Sequence, residues 1–184
     1  PRMHCKSDIT FWVDPRVWRE ANLSLSLSLR ALPEVDLELA RRKARPVATD
    51  RPSVLVLTAD TVVCSPFDGK ILGKSGHSND VQGFIELLSG RRHRVLTGVC
   101  LYSRELGTYS VEHEETTVEV SPLSAAEIAW YVGTDEWRDA AGGYRIQDAG
   151  AAFVSSIQGS PSNVIGLPMR LVYSMLQAHR YPFR

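Results

Sequence analysis

An acidic side chain interrupts the most apolar run of the chain. Asp60 lies within Val54–Val63, shortly after four consecutive apolar residues, and the hydroxyl residue Thr61 follows it. Burying a carboxylate without a partner or a metal is costly, so a charge inside a strand needs a reason. We therefore expect Ala59-Asp60-Thr61 to form a ligand site at the mouth of a buried strand. A carboxylate that caps the next turn is the alternative.

A lysine follows Asp60 after a short turn. The turn residues Ser65–Gly69 lead to Ile71-Leu72-Gly73-Lys74, and this short connection returns the chain towards the strand. Lys74 can then project near Asp60, and a lysine beside a glycine suits a phosphate contact. An exposed lysine after a hairpin is the alternative.

Two later segments combine glycines with polar side chains. In Asp139–Gln147, the pair Gly142-Gly143 permits a sharp turn or a close backbone approach. Gln147 offers both a donor and an acceptor, which suits the edge of a nucleobase. The segment Ser160–Pro168 opens the last helix, so its backbone N–H groups could face an anion. A structural loop with a surface glutamine and ordinary helix capping are the respective alternatives.

A basic cluster lies near a predicted helix end. Arg91 and Arg92 follow Gly90, where positive charges complement a helix dipole, and we favour that interpretation over phosphate binding. His93 has no partner in the sequence, and we interpret it as structural.

The hydrophobic pattern alternates between the two secondary-structure periods. Strands are predicted at 53–64, at 93–104 and 108–120 as a hairpin, and near 153–157, with an alternating Ser/Leu run at 22–29. Helices are predicted at 34–48, at 80–88 after a cap at Ser78 or Asn79, from a Ser124/Glu127 capping box to Val132, and at 168–178. This order indicates an α/β fold with a mixed sheet.

Composition limits the possible partners. The 184 residues suit one domain, and 21 Lys plus Arg balance 21 Asp plus Glu, so no overall field favours nucleic acid. The three cysteines lack metal-ligand spacing and suit reduced thiols in a cytoplasmic protein. No apolar stretch reaches the roughly 20 residues of a membrane helix. The P-loop, Rossmann, serine hydrolase and zincin motifs are absent from the sequence.

Six motifs, taken in order, resemble the Maf family of nucleoside triphosphate pyrophosphatases. They are Ala40-Arg-Arg-Lys43-Ala44, Ala59-Asp60-Thr61-Val-Val63, Leu72-Gly-Lys74, Leu88-Ser-Gly90 with His93-Arg-Val-Leu-Thr97, Asp139-Ala-Ala-Gly-Gly-Tyr-Arg-Ile-Gln147, and Asn163-Val-Ile-Gly-Leu-Pro168. The resemblance extends from Phe11 to the C-terminus. The Gly-Gly-Tyr-x-Ile-Gln form is similar to the branch that hydrolyses dTTP and UTP to the monophosphate and pyrophosphate.

The resemblance implies a role for each matching position. Asp60 corresponds to the catalytic aspartate that accepts a proton from the attacking water and lies close to the metal. Glu20 corresponds to a second metal ligand, and the implied cofactor is a divalent cation, Mg²⁺ or Mn²⁺. The implied substrate-binding residues are the phosphate contacts Arg2, Lys43 and Lys74 and the base-preference positions Thr61 and Gln147.

The resemblance also implies an architecture, and the composition adds an expected cellular setting. The expected fold is a single α/β domain over 1–184, a mixed sheet in two lobes around a deep cleft, as in the inosine triphosphate pyrophosphatase-like group. We expect a cytoplasmic protein that binds a nucleoside triphosphate and neither nucleic acid nor membrane. The family is often dimeric, which makes a homodimer an expectation.

Three departures from the family pattern keep an alternative open. Pro1-Arg2-Met3 retains only part of a Ser-x-Pro-Arg-Arg phosphate loop, and we expect further residues to precede Pro1. Ala140 occupies the position of a usual lysine, and Asp148 that of a usual glycine. The alternative is a non-catalytic nucleotide-binding paralogue of the same fold. A metal-dependent phosphatase that releases orthophosphate is a third hypothesis.

Overall fold

A five-stranded sheet organises the part of the chain that can be described. The computed structural model describes residue 40, residues 55–103 and residues 107–183. The strands are β1 (Leu55–Cys64), β2 (Ile71–Leu72), β3 (Arg92–Ser103), β4 (Thr108–Val120) and β5 (Val154–Gln158), in the spatial order β2-β1-β3-β4-β5. The helices are α1 (Ser78–Leu88), α2 (Ala125–Val132), α3 (Pro161–Ile165) and α4 (Met169–Ala178), and a 3₁₀ turn spans Ala149–Phe153.

The α/β class predicted from the sequence is confirmed. Every strand pairing in the described residues is antiparallel, so the parallel part of the expected mixed sheet is not among them. Short turns explain this arrangement: β1 returns into β2, and β3 returns into β4 as the predicted hairpin. The predicted strand at 22–29 and helix at 34–48 lie outside the described residues, except that Ala40 is helical and buried.

Local signals placed most of the helices correctly. The Ser124/Glu127 capping box is formed, and α2 begins and ends where it predicts. The proposed cap at Ser78 or Asn79 is wrong, because the helix begins at Ser78 and His77 is its N-cap. The Ser75 hydroxyl accepts the His77 N–H at 3.0 Å, which stabilises the chain before the first turn. No helix in the described ranges is long and apolar enough to cross a membrane.

Core residues lie on both faces of the sheet, because successive side chains of a strand point to opposite faces. On one face, Val63 and Val95 pack against α1 and α2, while Leu57 and Val99 pack against α4. On the other face, Val56 packs with Ala40, and Val62 packs with Leu96. Residues of β1 with even numbers therefore face Ala40, and those with odd numbers face the described helices.

Among the described strands, the two edges of β1 differ in how much of their length is paired. β3 pairs with β1 along its whole length, from Leu55 to Cys64. β2 pairs only with Val63 and Cys64, so no described strand covers the opposite edge of β1 along residues 55–62.

A two-glycine turn packs against the end of β1 that pairs with β2. Gly142 donates its N–H to the carbonyls of Leu72 at 3.0 Å and Gly73 at 3.2 Å. Its φ is +70°, and a Cβ at this position would lie 2.8 Å from Cγ1 of Val63. The predicted close backbone approach is therefore confirmed at Gly142, which packs directly against the core end of β1.

We predict that Gly142→Ala lowers the free energy of unfolding by about 1–3 kcal/mol, because the methyl group meets Val63 and the backbone is left-handed. Urea denaturation provides the measurement. Gly83→Ala is the matched control, since Gly83 is exposed in α1 with nothing within 4 Å of a new Cβ, and it should stabilise by about 0.5–1 kcal/mol. Equal stability of the Gly142→Ala variant and the wild type would contradict the packing argument.

Candidate functional site

β1 forms one wall of a cavity of about 410 Å³. Residues 57–61 contribute consecutively to this wall, as expected for a strand edge rather than for one face of a sheet. Lys74, the segment 139–147 and residues 164–167 contribute to the other walls. The cavity therefore lies where the sheet lacks a described neighbouring strand, and segments distant in sequence surround it.

Asp60 lies on this wall and is almost completely buried. Its exposed fraction is 3%, and it is the sixth residue of β1, opposite Gly98 of β3. Because Gly98 has no side chain, the residue directly opposite Asp60 on β3 adds no side chain beside its carboxylate. The expectation of a strand mouth is wrong, because β1 continues beyond Asp60 to Cys64.

Lys74 contributes to the same cavity as Asp60. It forms an isolated antiparallel bridge with Ala141, which attaches it to the segment 139–147. The short connection from β1 through β2 returns the chain as the sequence indicated. Both Asp60 and Lys74 have interactions within the protein.

Thr61 and Gln147 belong to the cavity as well. Thr61 points to the face of β1 opposite that of Asp60, because neighbouring residues in a strand alternate. Its hydroxyl lies 2.8 Å from the Thr97 hydroxyl. Gln147 is exposed where it lines the cavity. The structure thus brings together Asp60, Thr61, Lys74 and Gln147, and their individual roles stay predictions.

Three of the predicted site residues, Arg2, Glu20 and Lys43, lie outside the described residues. Their nearest described neighbour in sequence is Ala40, whose carbonyl accepts the Thr58 hydroxyl at 2.6 Å. Thr58 shares the Asp60 face of β1. The helical residue Ala40 therefore packs on the same face of the sheet as the buried carboxylate.

Sequence reasoning did not single out three further residues of the cavity, Asp139, Tyr144 and Arg145. They belong to the glycine-containing segment that did attract notice. Arg145 donates to the Arg138 carbonyl at 2.7 Å, and its backbone N–H donates to the Tyr131 hydroxyl at 3.1 Å. The polar residues that flank Gly142-Gly143 were the sequence signal that could have identified them. A turn that packs closely against a strand places its flanking side chains beside that strand.

Tyr144 joins the cavity wall to the core. Its hydroxyl lies 2.8 Å from Nε2 of His93, whose exposed fraction is 2%. Burial lowers the pKa of His93 to about 4 and raises the pKa of the Tyr144 phenol, so both groups are neutral at pH 7. The structural interpretation of His93 is confirmed, and its partner is 51 positions away in sequence.

The basic cluster and the last turn also have structural contacts. Arg91 donates to the carbonyls of Glu86, Leu87 and Ser89 at the end of α1, which is the predicted dipole arrangement. Arg92 pairs with Glu119 at 3.0 Å. Ser160 accepts the Asn163 N–H at 3.3 Å, so ordinary capping accounts for the start of α3.

The donors in the cavity suit a hard divalent cation. No group of three or more His, Cys, Asp or Glu side chains clusters for metal binding within the described ranges. Asp60 and Asp139 nevertheless line one cavity. Mg²⁺ is commonly held by one or two carboxylates together with substrate phosphates rather than by a complete protein cage. The oxygen donors present therefore fit Mg²⁺ or Mn²⁺ bound together with a polyphosphate.

Comparison with known proteins identifies the family. A family profile described as Maf-like protein matches residues 11–179. A dTTP/UTP pyrophosphatase from Symbiobacterium thermophilum is 46% identical over 146 residues, which are 78% of this chain and 72% of the relative. Relatives with the same name from Salinibacter ruber and Pyrococcus furiosus are 48% and 39% identical over 76% and 78% of this chain, and 68% and 74% of their own lengths. The chain belongs to the Maf-like family.

We predict that His93 makes stability depend on pH between about 6.5 and 4. In this window the unfolded chain binds a proton at His93 and the folded chain does not, so stability falls as the pH falls. The expected loss from His93 between pH 7 and pH 5 is about 2 kcal/mol. Urea denaturation at both pH values should show this loss reduced by that amount in His93→Phe. An unchanged pH dependence in the variant would contradict the assignment.

Proposed function

We propose that this Maf-like protein is a nucleoside triphosphate pyrophosphatase that hydrolyses dTTP and UTP, or modified pyrimidine nucleotides, to the monophosphate and pyrophosphate. The single observation that carries the proposal is the placement of Asp60 and Lys74 on one cavity, with Thr61 and Gln147 beside them. Of these substrates, dTTP and UTP appear in the names of relatives that are 39–48% identical over about three quarters of this chain.

Asp60 is the general base in the proposed reaction. Its carboxylate accepts a proton from water as the water oxygen bonds to the α-phosphorus, and the bond from that phosphorus to the bridging oxygen of the pyrophosphate breaks. A buried carboxylate at the cavity wall can hold the water in one orientation, which reduces the entropy cost of the attack. The pyrophosphate leaves with the electron pair of the broken bond.

Positive charge around the cavity must balance the negative charge of the substrate. A triphosphate carries about four negative charges, while Lys74 and Arg145 are the basic residues among those described as lining the cavity. A divalent cation would supply the remaining charge stabilisation, held by Asp60 and, in the sequence-based prediction, by Glu20. Arg2 and Lys43 are the further phosphate contacts in this proposal.

The two faces of β1 suggest how the substrate lies. Asp60 belongs to the face that contacts Ala40, and the predicted phosphate contact Lys43 follows Ala40 by three positions. Thr61 belongs to the opposite face, near residues 164–167. We therefore propose that the triphosphate lies beside Asp60 and that the base reaches Thr61 and Gln147 around the edge of the strand.

One observation supports the non-catalytic alternative. Ala140 lines the cavity, so the position where the family usually has lysine contributes a methyl group to the wall instead of a charge. Loss of one preorganised charge from a water-excluded site lowers transition-state stabilisation. Arg145 lies on the same cavity and supplies a cation there, which favours the catalytic proposal.

A nucleotide panel with product identification tests the proposal. We expect pyrophosphate release from dTTP and UTP with Mg²⁺, no release after EDTA, and recovery when Mg²⁺ is restored in excess. Binding of dTTP in calorimetry without pyrophosphate release would favour the nucleotide-binding paralogue. Release of orthophosphate as the first product would favour the phosphatase hypothesis.

We predict that Asp60→Asn lowers pyrophosphate release by about 10²- to 10⁴-fold, because the amide has nearly the same shape and cannot accept the proton. Circular dichroism should show the fold retained. The matched control is Asp68→Asn, since Asp68 pairs with Lys70 at 2.8 Å on the surface outside the cavity. Wild-type turnover by Asp60→Asn would remove Asp60 from the mechanism.

A further inference from the structure

A chain of hydroxyl and amide groups runs from the cavity into the core beneath Thr61. The Thr61 and Thr97 hydroxyl oxygens are 2.8 Å apart, and Thr97 Oγ1 lies 3.1 Å from the Asn163 carbonyl oxygen. Thr97 and Asn163 are fully buried. A buried hydrogen-bonded chain of this kind constrains the direction of each proton, because no water competes for it.

Two backbone carbonyls, those of Val95 and Ser160, determine the donor directions in the inner part of this hydrogen-bonded chain. The Asn163 amide nitrogen donates to the Val95 carbonyl at 3.0 Å and to the Thr116 hydroxyl at 2.9 Å, which uses both of its hydrogens. Thr116 in turn donates to the Ser160 carbonyl. Since a carbonyl accepts and never donates, the orientation of Asn163 is not interchangeable, and the loop that carries residues 160–166 is held against β3 and β4.

The same reasoning determines which oxygen accepts the hydroxyl proton of Thr97. Its single hydroxyl proton can satisfy either the Asn163 carbonyl or Thr61. If Thr97 donated to Thr61, its oxygen would face the Asn163 carbonyl at 3.1 Å with no proton between them. If Thr97 donates to the carbonyl, Thr61 donates to Thr97, and both contacts are hydrogen bonds. The second arrangement is therefore the stable one.

The consequence appears on the cavity side of Thr61. A hydroxyl has one proton, and here that proton points towards Thr97, so Thr61 presents only acceptor lone pairs to the cavity. A Cβ added at Gly166 would lie 3.4 Å from Thr61 Oγ1, so the Gly166 backbone borders the hydroxyl and limits its other directions.

We infer that Thr97 is a positioning residue that makes Thr61 an obligate acceptor, so that the site selects a base with a donor at that point, the imide N–H of uracil or thymine. Cytosine has an unprotonated ring nitrogen at the equivalent position, and two acceptors would then face each other. This inference rests on the proposed function for the reaction. It adds the Thr97 hydroxyl, which does not line the cavity, as a group that sets base preference through Thr61.

The test compares UTP with CTP in the wild type and three variants of the full chain. We expect kcat/KM to favour UTP by on the order of 10- to 100-fold in the wild type, the usual effect of one unsatisfied buried polar group. Thr97→Val removes the acceptor for Thr61 and frees its proton to face cytosine, so the UTP/CTP ratio should fall about tenfold. Thr97→Ser keeps the hydroxyl and should retain the wild-type ratio.

Thr116→Val is the matched control for loop support. Thr116 forms hydrogen bonds with Asn163 and Ser160 but not with Thr61. Its loss should therefore lower kcat/KM for UTP and for CTP by the same factor and leave their ratio unchanged. Equal shifts of the ratio in Thr97→Val and Thr116→Val would show a merely structural role and overturn the inference. A wild type that favours CTP, or a Thr97→Val variant with the wild-type ratio, would overturn it as well.

Binding separates this inference from the proposed function. If the wild type released no pyrophosphate, the hydrolytic proposal would fail, and calorimetry with the α,β-methylene analogues of UTP and CTP would still test the acceptor role. A preference for the uridine analogue that decreases in Thr97→Val supports the inference. Equal affinities for the two analogues in the wild type contradict it.

Discussion

The unequal pairing of β1 is the constraint on which the rest of the site depends. One edge of the strand pairs with β3 over all ten residues, and among the described strands the other edge pairs with β2 at two of them. Residues 57–61 line the cavity, so β1 can be held by β3 on one side and still present consecutive residues to a ligand.

Opposite faces of β1 serve different parts of the proposed chemistry. Thr58 and Asp60 share the face that contacts Ala40, and Thr61 shares the face that packs against the described helices. A single strand edge can therefore present a carboxylate and a hydroxyl to two ends of one long ligand. The turn at Gly142, bonded to the carbonyls of Leu72 and Gly73, holds the segment with Gln147 close to the same edge.

The sequence predicted those features whose causes are local. The Ser124/Glu127 box, the β3–β4 hairpin and the glycine pair each depend on residues within a few positions of one another, and each is present. The return of Lys74 to the cavity was also predictable, because a short turn leaves few alternatives. Asp60 was misplaced at the end of its strand, since the alternation of side chains contains no information about where along the strand a cavity lies.

Contacts between distant residues explain what the sequence could not predict. His93 meets Tyr144 across 51 positions, and Thr97 meets the Asn163 carbonyl across 66. In both cases a buried polar group needs a partner, but the sequence does not identify which of many candidates supplies it. Only the register of β1 against β3, which places Thr61 opposite Thr97, determines that the second pair reaches the cavity.

The inferred role of Thr61 links the packing of the core to recognition of the base. A hydroxyl on a flexible surface can rotate and serve as donor or acceptor, so it discriminates poorly between bases. Thr61 is different, because its proton is directed by Thr97, and the proton of Thr97 is directed by a backbone carbonyl. The loop that carries this carbonyl is held by Asn163 on Val95 and Thr116. In the inferred arrangement, base preference at the cavity would therefore depend on the same buried hydrogen bonds that attach α3 to the sheet.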